Sequence, residues 1–115
     1  MKESIIQRRS FDFALEVIRI CRALQEQREY VISKQLMRSG TSIGANVEEA
    51  TAGQSRRDFL AKMAIACKEA RETRYWIRLL QESKISNNDF SKPLQEIEEI
   101  IRILTSIVKT TSESL

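Results

Sequence analysis

Breakers are scarce in this chain. Its 115 residues include only three Gly and one Pro, and a backbone with so few interruptions is committed to long helices joined by short turns. Apolar residues recur at the helical period in four segments, and no stretch alternates as a half-buried strand does. The spacing predicts a first helix from Ser10 to Gln27, with Ser10 as N-cap and Asp12 in the first turn. Its stripe is Phe13, Val17, Ile20, Cys21 and Leu24. A second helix is predicted from Tyr30 to Ala52, with Ile32, Leu36, Ile43, Val47 and Ala50 on one face.

Gly40 and Gly44 lie inside that second helix, where each costs about 1 kcal/mol relative to Ala. Together with Ala45 they predict a place where another helix approaches closely. A phosphate-binding loop is the other reading, but neither a preceding strand nor a Gly-Lys-Ser/Thr sequence accompanies them. Gly53 is expected to end the helix. The third helix opens on Ser55-Arg56-Arg57-Asp58, close to a capping box, and runs unbroken to Ser83. Ser86-Asn87-Asn88-Asp89 is turn chemistry. The fourth helix is expected from Lys92 to Thr110, with Pro93 in its first turn and Thr111 to Leu115 fraying. Its seam is Leu94, Ile97, Ile101, Leu104 and Val108, widened by Ile100, Ile103 and Ile107. The expected fold is therefore all-α, an antiparallel up-and-down four-helix bundle, with residues 1–115 forming a single domain.

Composition removes many chemistries. The chain has no His, hence no imidazole base, triad or His-bearing metal site. Cys21 and Cys67 are too far apart for a Cys-x-x-Cys unit and read as small core residues in a reducing compartment. Neither an apolar run long enough for a membrane nor a secretory leader is evident, so a cytoplasmic location is expected. Glu48 and Glu49 are adjacent and point apart, while Glu69 and Glu72 are expected to pair with Lys68, Arg71 or Arg74. No catalytic residue, metal ligand or cofactor is expected, and the chain reads as a non-enzyme.

Charge is distributed unevenly. The formal net charge is +3, yet residues 55–84 carry eight Lys/Arg against four Asp/Glu. On a helical wheel with Arg56 at zero, Arg56, Arg57, Lys68, Arg71, Arg74 and Arg78 fall within about 120°. Asp58, Glu69 and Glu72 lie on the opposite flank, and Phe59, Leu60, Met63, Ala66, Cys67, Ala70, Ile77 and Leu80 form the core arc. A cationic flank of this kind is a candidate surface for a phosphate backbone, RNA or DNA. The alternative is a solvated face, or arginines paired to Glu on a neighbouring helix or subunit. Ile65, Trp76 and Leu79 are predicted on the outer face of the third helix, and Phe11, Leu15 and Ile18 lie off the stripe of the first. Surplus apolar faces mark an interface, so a homo-oligomer is expected.

The run Leu36-Met37-Arg38-Ser39-Gly40-Thr41-Ser42-Ile43-Gly44-Ala45-Asn46-Val47-Glu48-Glu49-Ala50 adds a resemblance, together with Ser55-Arg56-Arg57-Asp58-Phe59 and Ile65-Ala66-x-x-Glu69-Ala70. It resembles the bacterial four-helix-bundle proteins known as 23S rRNA intervening-sequence proteins, over nearly the whole chain. Gly44 stands where many relatives have proline, and the first helix lacks a Trp. The resemblance implies a homopentameric ring without enzymatic activity. One branch of such proteins is similar to accessory proteins of diversity-generating retroelements, whose basic pentamer binds nucleic acid and a reverse transcriptase. Two functions follow as expectations: an oligomeric nucleic-acid-binding accessory protein, or a protein–protein scaffold with no nucleic-acid contact.

Overall fold

The computed structural model describes residues 3–115, which form four helices and no strand. They are α1 (Ile5–Glu26), α2 (Val31–Thr51), α3 (Arg56–Ser83) and α4 (Ser91–Glu113). Each packs on its neighbours in chain order, and α4 returns to close on α1 through the slightest of the four seams. The result is an elongated four-helix bundle, 46 × 23 × 22 Å. None of these helices is long and apolar enough to cross a membrane.

Helix α1 begins five residues before the expected Ser10. Ser4 is its N-cap: the Ser4 hydroxyl accepts from the Gln7 backbone N–H at 3.2 Å, and the Gln7 side chain accepts from the Ser4 N–H at 2.8 Å. This Ser-x-x-Gln box satisfies two orphan donors reciprocally, and it brings Ile6 into the core. Ser10 is instead buried in mid-helix, its hydroxyl donating to the Gln7 carbonyl at 3.3 Å.

The small residues of α2 explain that burial. A Cβ at Gly40 would stand 2.7 Å from Val17 Cγ2, and one at Gly44 would stand 3.3 Å from the Ser10 carbonyl oxygen. Both glycines therefore let α1 lie against the backbone of α2, as the sequence predicts. Gly53 follows the C-cap Ala52, but no glycine adopts positive φ. The left-handed positions are Arg28 (φ 65°) and Lys84 (φ 57°), the latter capping α3. Helix α2 has no cap from Tyr30; the Glu29 carboxylate accepts from the N–H groups of Ile32 (2.8 Å) and Ser33 (2.9 Å) in its place.

The core combines the predicted stripes with residues that the period does not flag. Phe90, in the loop before α4, is fully buried, and its N–H donates to the Gln81 side chain at 3.0 Å. Thr73 is buried on α3, with Oγ1 donating to the Glu69 carbonyl at 2.8 Å and lying 2.9 Å from the Ser39 hydroxyl of α2. Helix α4 runs three residues past Thr110, because Thr111 is buried against the bundle and does not fray. Cys21 is fully buried and Cys67 half-buried, both as free thiols. Burial pushes the Cys21 thiol up to about 11, so it stays protonated at neutral pH.

Candidate nucleic-acid interface

Helix α3 is about 42 Å long at the standard rise. Ser55 caps it, accepting from the Asp58 N–H at 3.0 Å, and Asp58 supplies the favourable first-turn charge. With both ends fixed, its two flanks take different surroundings.

The acidic flank faces α2. Arg38, projecting from α2, forms ion pairs with both Glu69 (3.4 Å) and Glu72. Glu72 also accepts from the Trp76 indole N–H at 3.0 Å, and Lys62 pairs with Glu49 of α2 at 2.8 Å. Glu69 and Glu72 thus find their partner across the helix seam rather than in Lys68, Arg71 or Arg74, as the sequence suggested. The reason is geometric. Those three cations project from the far side of α3, whereas Arg38 stands opposite the carboxylates.

The cationic flank is left largely unmatched. Arg57, Lys68, Arg71 and Arg74 form no ion pair with any described residue, and all but the half-buried Arg74 are exposed. Arg78 is exposed and pairs loosely with Glu82 one turn on, at 3.4 Å. Arg56 reaches over the end of α4 to the Ser114 hydroxyl. Five of the six predicted cations therefore line one side of α3, and the sixth is engaged at the end of the bundle.

The predicted apolar surfaces divide. Phe11, Leu15 and Ile18 are 53%, 39% and 38% exposed and edge a groove of about 310 Å³ between α1 and α2, floored by Ala14, Gly44 and Ala45. The Arg8 guanidinium lies over the Phe11 ring at 5.0 Å. Ile65 is also exposed. Trp76 and Leu79 do not stand in water: Trp76 is half-buried against the core, and Leu79 is half-buried as well. The α3 core arc drifts round toward α2 by its last turns, which covers positions that an ideal wheel puts outside. Among the described residues, no group of three His, Cys, Asp or Glu is placed to hold a metal ion.

The run shared with the resembling family is mostly engaged in packing. Ile43 is in the core, the Asn46 amide donates back to the Ser42 carbonyl at 2.9 Å, Glu49 meets Lys62, and Phe59 packs on the core. A family model described as 23S rRNA-intervening sequence protein matches residues 2–106. The chain belongs to that family. A similar solved structure has the same fold. It is a 1.70 Å crystal structure of a protein with unknown function from the S23 ribosomal protein family of Bacteroides thetaiotaomicron VPI-5482. That protein is 42% identical, with a TM-score of 0.85, over 91% of this chain and 99% of its own. No curated protein matches the chain.

Proposed function

We propose that this 23S rRNA-intervening sequence protein is a non-catalytic accessory protein that self-associates and binds RNA or DNA through the cationic flank of α3. The observation that carries the reading is the row of unmatched cations at Arg57, Lys68, Arg71 and Arg74, continued by Arg78. A solvated face normally mixes both signs, and here Glu69 and Glu72 of the same helix are drawn to its other side, leaving Glu82, against Arg78, as the carboxylate that meets the row. Exposed, unpaired guanidinium and ammonium groups in a row fit a phosphate backbone.

Self-association is supported by the Phe11–Leu15–Ile18 groove and by Ile65 on the outer side of α3. An apolar groove of this kind is what an interface covers. A closed ring of five is the assembly that the family resemblance implies, and a cytoplasmic setting suits a chain with free thiols. The same groove favours the second reading, a protein–protein scaffold whose arginines meet other subunits.

Salt titration of RNA binding separates the two. Four phosphate contacts give a log–log slope of about −3 for a single strand. Light scattering should show a particle several times the 13.3 kDa chain. A 13.3 kDa monomer contradicts the self-association, and absence of RNA and DNA binding at low salt leaves the scaffold.

A further inference from the structure

Tyr75 stands within the cationic row. Lys68, Arg71, Tyr75 and Arg78 follow one another at spacings of three and four residues, which places them on one face of α3 over about 15 Å. Tyr75 is 54% exposed. Its ring meets the Trp76 indole nearly edge-on, with centroids 5.2 Å apart and planes at 72°. That indole is itself anchored, packing against the core and donating to Glu72, which Arg38 holds from α2. The tyrosine is thus a braced aromatic ring with a guanidinium one turn to either side.

We infer that Tyr75 is a stacking platform for an unpaired base, and that the nucleic acid taken by this flank is single-stranded. The inference rests on the nucleic-acid reading above and narrows it. Cations alone suit any phosphate backbone, duplex or single. An exposed ring between them adds something only where a base face is free, because in a duplex the base faces are stacked on one another. The arrangement combines the two elements that sequence-tolerant single-strand binding requires: charge tracking the backbone and an aromatic face for the base.

The test compares a fluorescein-labelled oligouridine of about twelve nucleotides with an RNA duplex of the same length, by anisotropy. Wild type should prefer the single strand. Tyr75→Ala should weaken oligouridine binding about tenfold with its salt slope unchanged, while Tyr75→Phe, which keeps the ring, binds as wild type. Duplex binding should be the same in all three. Trp76, the only tryptophan of the chain, gives a second readout, since its fluorescence should change when oligouridine occupies Tyr75. Equal binding of oligouridine by wild type and Tyr75→Ala overturns the platform while leaving the phosphate contacts standing. A Tyr75→Ala protein that loses its assembly puts the ring in a subunit interface and also overturns it. If wild type binds neither probe, the nucleic-acid reading fails and the platform with it.

Discussion

The two flanks of α3 carry opposite charge and meet opposite fates. On the side facing α2, carboxylates and cations find each other across the seam, through Arg38 with Glu69 and Glu72 and through Lys62 with Glu49. Farther round the same helix, Arg57, Lys68, Arg71 and Arg74 have no such partner. Neutralisation within the fold leaves those cations to act on something outside it. Charge that is paired across helices contributes to register and a little stability; charge left unpaired contributes an outward field.

The comparison is tested most severely from the unpaired side. Arg71→Glu combined with Arg78→Glu should lower RNA affinity by about a hundredfold or more, removing two phosphate contacts and adding two repulsions. Assembly and melting temperature should stay near those of wild type. Loss of assembly would instead assign these arginines to subunit contacts.

On the paired side the expected result is reversed. Arg38→Ala should cost about 1 kcal/mol of unfolding free energy in urea, because Glu69 is largely covered and Glu72 partly so. RNA affinity should fall by no more than about threefold, the freed carboxylates lying on the far flank. Thr73→Val should cost about 1 kcal/mol in the same assay by leaving the buried Ser39 hydroxyl without its partner, with no change in binding.

A change that touches neither flank serves as control. Lys84 caps α3 in the left-handed region, where a side chain costs of order 1 kcal/mol, so Lys84→Gly should stabilise by somewhat under that amount and leave binding unaltered. The smallest effect is chemical. Cys67, half-buried at the α3–α4 boundary, should react with a thiol reagent in the native state while buried Cys21 does not. Because burial raises the Cys21 thiol from 9.0 to about 11, its contribution to stability is complete below about pH 9 and is lost as pH rises toward 11.

Much of the bundle is legible in the chain. The scarcity of breakers gives long helices, the period gives their faces, and Gly40 and Gly44 foretell the close approach of α1 to α2. Ser55 is readable as a cap because polar residues set it off from the apolar run that follows. The start of α1 is obscured by Arg8 and Arg9, which interrupt the apolar pattern between Ile6 and Phe13 and make Ser10 look like a boundary. The Ser4-x-x-Gln7 box was the available signal. Phe90 escapes because a single aromatic in a loop has no period to belong to, and Ser39 and Thr73 escape because small hydroxyls look like surface.

The site divides along the same line. That one side of α3 is cationic follows from helical spacing alone. That its carboxylates are claimed by Arg38 depends on how α2 and α3 are aligned, which neither segment encodes by itself. The cover over Trp76 likewise depends on how the long helix drifts against its neighbours.

Photo-cross-linking of a 4-thiouridine RNA to the wild-type protein, followed by mapping of the attached peptides, tests the placement of the interface most directly. Cross-links concentrated between Lys68 and Arg78 are the predicted result. Cross-links confined to the α1–α2 groove around Phe11 and Leu15, or to the Arg38 side of α3, would contradict it.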